Sequence, residues 1–297
     1  MISRLKWIYA AIAFVAALTG WISPDTHAQD AVSWTVQPFS EALKLLKVEE
    51  SSSGVTFVLQ NVQDKVITAY AACFSRGEQF SSCRDNDWST NDVSRGLGKG
   101  DIDRVSIGIL EASEYQKHIL RIAAVFFDDG SIEGLHDDAM QIYLRRMGRA
   151  LESRRESNIL SSFSNSSLND LDISSLTDKI GPIITSSLDP RFIDDLTGMN
   201  SFGLIVPDPM DLPDRMRGSL LSGISSARQQ MLRTLDQLRK SPVTSADPRV
   251  RTRKILMAGL TATINETWLR MFEISKRDEK GMKTIKQTVL NGKKFGP

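Results

Sequence analysis

Five carboxylates crowd one short stretch of this 297-residue chain: Asp128, Asp129, Glu133, Asp137 and Asp138. Clustered oxygens are the raw material of a Ca²⁺ site, which takes about six to eight hard ligands on a flexible loop. The acids do not alternate as they do in an EF-hand, and Gly130 falls too early in the stretch. A solvated turn followed by acids that favour the start of a helix accounts for them equally well. The same residues could supply one half of a hydrolase carboxylate pair, but no spacing selects the other half. No pattern selects a catalytic residue.

The two cysteines, Cys73 and Cys83, are the other chemically distinctive pair. An even number of thiols in an oxidising compartment favours a disulfide. Their separation suits neighbouring strands or a strand and its following loop. The two-residue spacing typical of thiol oxidoreductases is absent. The three histidines, His27, His118 and His136, have no paired metal-binding spacing, and no Gly-x-Ser-x-Gly elbow accompanies them. Gly96, Gly98 and Gly100 lack the Gly-Lys-Ser/Thr ending of a phosphate loop and read as a hairpin loop. No cofactor is implied. Asn165-Ser166-Ser167 and Asn265-Glu266-Thr267 match the glycosylation acceptor pattern, the second of them inside an expected helix.

The amino-terminal segment assigns an address. Arg4 and Lys6 are followed by an apolar run from Trp7 to Ser23, then Pro24 and the small-x-small ending Thr26-His27-Ala28. This order predicts a signal peptide over 1–28, cut after Ala28, and an exported protein, periplasmic or secreted. The apolar run is short for a spanning helix, which needs about 20 residues, although an uncleaved anchor is the competing reading.

The segment also carries the chain's whole net charge of +1, so residues 29–297 are neutral. That balance offers no basic face for nucleic acid. It hides an asymmetry: residues 29–210 hold 17 Lys and Arg against 27 Asp and Glu, and residues 211–297 hold 18 against 8. Either the basic part docks on the acidic part, or it meets an anionic surface, unless its helices simply present solvated basic faces.

The elements that must position these groups follow from hydrophobic periodicity. Val55, Phe57 and Leu59 alternate with polar or smaller neighbours, which predicts a strand paired with one over 45–50 across the turn at 51–54. Further strands are expected over 66–74, 105–110 and 119–127, the last ending at Asp128-Asp129-Gly130. From 134 to 162 the period becomes helical, through Ala139, Ile142, Tyr143, Met147, Ala150 and Leu151. Serine-rich 161–175 reads as a loop, and 176–212 as short helices and irregular chain. Pro213 opens a helix with Met216, Leu220, Ile224, Ala227, Met231, Leu235 and Leu238 on one stripe. Asp247 is the expected N-cap of a second helix, carrying Val250, Met257, Leu260, Ile264, Trp268 and Met271, with a fraying tail beyond Arg277. A short connection between the two predicts an antiparallel hairpin.

Two segments carry a likeness. Phe57 to Tyr70, with Asn61, Lys65 and Ile67-Thr68-Ala69-Tyr70, and Ala123 to Gly134, with Ala124-Val125-Phe126-Phe127-Asp128-Asp129-Gly130, resemble a group of uncharacterised secreted bacterial proteins of acidobacterial type. Those proteins pair such stretches in a small sandwich followed by a helix. The resemblance covers about residues 43–150 and implies an exported sandwich with no known activity.

The expectation is an α+β protein: signal peptide 1–28, immunoglobulin-like antiparallel β-sandwich 29–133, helical and irregular region 134–212, and a helical hairpin with a basic tail 213–297. Its expected role is a non-catalytic binding or structural module of the bacterial envelope or exterior, with a protein or envelope component as partner and not nucleic acid. The alternatives are a hydrolase using acidic residues and membrane-surface contact through the basic helices of 211–297.

Overall fold

A computed structural model describes residues 35–76, 79–90, 96–108, 119–163, 170–186, 208–247 and 251–285. The signal peptide expected over 1–28 lies outside the described residues, as do His118 and Asn165. The chain is mixed α+β. Its strands are β1 Thr35–Pro38, β2 Leu43–Ser51, β3 Gly54–Asn61, β4 Ile67–Arg76, β5 Gln79–Asp87, β6 Ile102–Gly108, β7 Ile119–Phe127 and β8 Ile132–Gly134. The helices are α1 His136–Ser161, α2 Asp170–Ile180, α3 Asp214–Lys240 and α4 Arg253–Thr284. No helix among the described residues is long and apolar enough to cross a membrane.

The strands form two sheets. One has the order β2-β3-β6, antiparallel throughout. The other has the order β1-β7-β4-β5, with β8 sharing the outer edge of β7. All its pairs are antiparallel except β1–β7. The expected pairing of 45–50 with 55–60 is present, with Val48 opposite Phe57, and the expected strands of 66–74 and 119–127 pair with each other, with Tyr70 opposite Val125. The sheets meet through the Phe57 and Phe74 rings, 5.4 Å apart, and through the Tyr70 hydroxyl, which donates to Asp103 on β6 at 2.5 Å. The larger sheet is a middle layer. On its other face Ala69, Ala71, Ala124 and Phe126 pack with Ile142, Met147, Leu220 and Trp268 of the helices. The near-continuous apolar runs of β4 and β7 follow from this burial on both faces.

Helix α1 confirms the period change after residue 134. Three other expectations are corrected. The serine-rich stretch is not loop throughout, because α2 begins at Asp170 and sets Ile173, Leu176 and Ile180 into a second core. Asp247 does not cap α4. Arg253 starts that helix by donating to the carbonyls of Arg239 and Ser241, which closes the end of α3, and to Asp170 at 2.6 Å. The helix also does not fray at Arg277. It continues to Thr284 because Asp278, Gly281 and Met282 are buried against the sheet layer.

The predicted hairpin is corrected in its packing. Helices α3 and α4 both lie along α1 and barely touch each other. Gly148 of α1 and Gly223 of α3 allow this. A Cβ at Gly148 would strike the carbonyl oxygen of Leu220, and one at Gly223 that of Arg145. The two backbones therefore close on each other where neither helix has a side chain, and α4 takes the other flank of α1.

Candidate functional site

The cysteines fulfil the sequence reading: Cys73 and Cys83 are directly opposed on β4 and β5 and joined by a disulfide. The five acids do not converge. Asp129 pairs with Lys65 at 2.7 Å and accepts from Ser131, and Glu133 accepts from Ser40 at 2.7 Å. Asp137 faces His136, while Asp138 accepts from Arg215 at 3.2 Å. Burial would raise the Asp129 carboxyl, but the Lys65 and Ser131 hydrogen bonds prevail and hold it at about 2. The Asp128 carbonyl receives the Arg277 guanidinium at 2.6 Å. Gly130, at φ +84°, turns the chain so that its carbonyl meets α4 at Gly281, where any Cβ would collide. The acidic turn is thus a seat for α4.

The two stretches that carry the likeness to secreted proteins are bound to each other. Asn61 is wholly buried. Its amide donates to the carbonyls of Lys65 at 2.8 Å and Leu97 at 2.7 Å and accepts from the Gln63 N–H, which closes the turn. Lys65 then reaches Asp129 and Ser131 of the second stretch. Asn and Lys at these places serve the turn and its junction with β7.

The charge asymmetry resolves partly inside the molecule. Arg228 of α3 grips Glu152 of α1 through two bonds of 2.9 and 3.1 Å, with both side chains buried. Arg253 of α4 meets Asp170, and Arg215 of α3 meets Asp138. The basic carboxy-terminal part therefore docks on the acidic part, as one sequence reading proposed. A reciprocal pair joins Arg146 of α1 to Asp278 of α4 and to Asp87 at the end of β5. Burial would raise the Asp87 carboxyl, but the Arg146 charge and hydrogen bonds outweigh it and keep Asp87 below its ordinary value.

Glu156 of α1 has no such relief. It is 1% exposed, and one carboxylate oxygen has no hydrogen-bond partner. Burial first, and then the neighbouring Glu152 charge, push its carboxyl well above its ordinary value, against the attraction of Arg155, Arg228 and Arg149. It borders a hollow of about 40 Å³ between α1, α3 and α4.

A feature suited to a partner lies at the far end of the helices. Because α3 and α4 are held apart by α1, their distal halves enclose a groove of about 580 Å³. Met231, Leu238, Leu260 and Ile264 form its buried floor, and Leu256 lies beside them. Gln230, Thr234, Gln237, Ser241 and Thr263 form its polar walls. Among the described residues Arg251 is the one charged side chain of the lining, and Ile255, 61% exposed, stands on the rim. An apolar floor with polar walls can receive an apolar side-chain row and satisfy hydrogen bonds beside it. The stripes of α3 and α4 are thus largely core, while the groove is the part left open.

Sequence reasoning missed Arg146, Glu152, Glu156, Asp278 and the groove. The charged residues interrupt no apolar stripe, so their burial left no signal. The groove arises from the splay between helices, which periodicity along one helix does not encode. No family model matches the chain, no curated protein matches it, and no solved structure matches its fold.

Proposed function

We propose that this protein is an exported, non-catalytic binding module of the bacterial envelope or exterior. Its amino-terminal part is read as an immunoglobulin-like sandwich that carries a helical recognition end. The partner is a protein, which lays an amphipathic segment into the groove between α3 and α4. The observation that carries this reading is the groove itself, about 580 Å³ between α3 and α4, with Met231, Leu238, Leu260 and Ile264 at its floor and Ile255 exposed on its rim. Arg251 favours a partner segment with a carboxylate beside its apolar row. The amino-terminal address of residues 1–28 and the likeness over 43–150 support the exported location.

The test is site-specific photo-crosslinking in the producing cell, with the probe at Thr263 in the groove and, as control, at Ser106 on β6. A single discrete adduct from Thr263, absent from Ser106 and lost on Ile255→Asp, is the expected result. Equal adducts from both positions, or none from Thr263, would overturn the reading.

A further inference from the structure

The disulfide does not stand in a neutral setting. Cys73 is buried and Cys83 is half-buried, so only Cys83 is open to attack. A carboxylate oxygen of Asp138 and the two sulfurs lie within 4.8 Å of one another. The Arg215 guanidinium lies 3.7 Å from the Cys83 sulfur and 3.2 Å from Asp138. Asp138 and Arg215 occupy the first turns of α1 and α3, so the amino-terminal ends of two long helices converge on this bridge. Arg121 on β7 is opposite Cys73 and therefore on the same face of the sheet.

The Arg215 and Arg121 guanidinium groups and the helix amino-termini favour a thiolate, whereas the burial of Cys73 and the acid oppose one. A nearby guanidinium and helix amino-termini lower thiol pKa values and make sulfur a better nucleophile and leaving group. The acid supplies what remains, a proton donor beside the departing sulfur. Burial raises the Asp138 carboxyl, with Asp137 adding to the rise and Arg215 and Arg121 opposing it, so the group holds its proton to higher pH than an exposed Asp. In thioredoxin-like motifs the two cysteines are close in sequence. Here the strand pair β4–β5 brings them together instead.

We propose that Cys73–Cys83 is a redox-active disulfide that oxidises dithiols, with Cys83 as the attacked sulfur, Asp138 as the proton donor and Arg215 as the thiolate-stabilising cation. The thiolate of a dithiol attacks the Cys83 sulfur. The Cys73–Cys83 bond breaks, a mixed disulfide with Cys83 forms, and Cys73 leaves as a thiolate that takes the Asp138 proton. The second thiol of the dithiol, losing its proton to water, attacks the sulfur of its own molecule in the mixed disulfide. Cys83 leaves as a thiolate beside Arg215, and the dithiol departs as a disulfide. Two electrons pass to the protein, and water returns the proton to Asp138. This site is separate from the α3–α4 groove and does not depend on the function proposed for it.

The experiment uses the whole folded chain with dithiothreitol as the dithiol probe. Free thiols are trapped by alkylation and counted by mass, while near-ultraviolet circular dichroism reports the fold. The expected result is reduction while the native spectrum persists. Arg215→Ala, at a largely exposed side chain, slows that reduction by about three- to tenfold at neutral pH and raises the pH at which Cys83 alkylates in the reduced protein. Asp138→Asn removes the donated proton and flattens the pH–rate profile. Reduction that occurs only as the native spectrum is lost would make the bridge purely structural and overturn the proposal. So would a native-state rate and alkylation profile unchanged in both variants.

Discussion

Arg146 and Asp278 form an ion pair 2.7 Å long in which neither side chain is exposed to solvent. The guanidinium also makes paired hydrogen bonds to Asp87, at 2.8 and 3.1 Å, and reaches the carbonyl of Thr68 on β4 at 3.1 Å. One side chain from α1 therefore ties both β4 and β5 and the carboxy-terminal helix to a single point. Replacing it is expected to take the Arg146 charge away from two buried carboxylates, with Arg277 still 3.8 Å from Asp278. Arg146→Met should cost about 3–5 kcal/mol, since removing one partner of a buried pair strands the other. Adding Asp87→Asn and Asp278→Asn should recover much of that loss, and urea denaturation of the four proteins measures both effects. Because Asp87 is held below its ordinary 3.8, the stability it contributes is present above that value. That part is lost as the pH falls through its folded value.

Glu156 has the opposite sign. Its folded pKa is raised, so the folded chain holds a proton that the unfolded chain gives up. The stabilisation from that proton is full below about 4.5 and is lost as the pH rises through the folded value. The urea midpoint of the parent protein should therefore carry a downward component as the pH rises. Glu156→Gln, which keeps the shape and removes the titration, should remove that component. Its advantage over the parent should be greatest above the folded value of Glu156 and fade as the pH falls toward about 4.5. A midpoint curve of the same slope in both proteins would show that Glu156 is not the group responsible.

Glycine positions on the helices make a paired prediction. Gly→Ala within an exposed helix normally stabilises by up to about 1 kcal/mol. Gly218 of α3 has open space where a Cβ would stand and should follow that rule. Gly148 and Gly223 should reverse it and lose about 1–3 kcal/mol, because the new methyl group meets a neighbouring backbone carbonyl. Thermal midpoints of the three single variants decide the matter.

Asn61 is the buried side chain that closes the turn between β3 and β4. Asn61→Ala should cost about 1–3 kcal/mol by removing the bonds from its amide to the carbonyls of Leu97, which keeps the Ile67 N–H, and Lys65, and the acceptor of the Gln63 N–H. Lys65→Ala, at an exposed pair with Asp129, should cost no more than about 1 kcal/mol. Similar losses from both substitutions, measured by denaturation, would contradict this division of labour.

Much of the fold is legible in the order of residue types. Period-two alternation marks β3, the apolar runs mark β4 and β7, and the switch to helical spacing after Gly134 marks α1. The disulfide was legible from an even number of cysteines, the expected exported location and a separation that suits neighbouring strands. Strand β5 was not legible. Its Ser82, Arg84, Asp85 and Asp87 give no alternation, and only its ladder with β4 makes it a strand.

What the sequence by itself determined is local: element types, the acidic-to-basic division of the chain and the cysteine pair. Tertiary structure alone decided which charges are buried and where a surface opens. The glycine contact between α1 and α3 turned an expected hairpin into two helices flanking a third, and the groove is the space left between them. The same packing carried Arg146 and Glu152 out of water to partners found 132 and 76 residues along the chain. It also set Asp138 and Arg215 from separate helices beside one disulfide. Periodicity records which face of an element is apolar. It does not record which other element that face will meet, and the candidate sites of this protein all depend on the meeting.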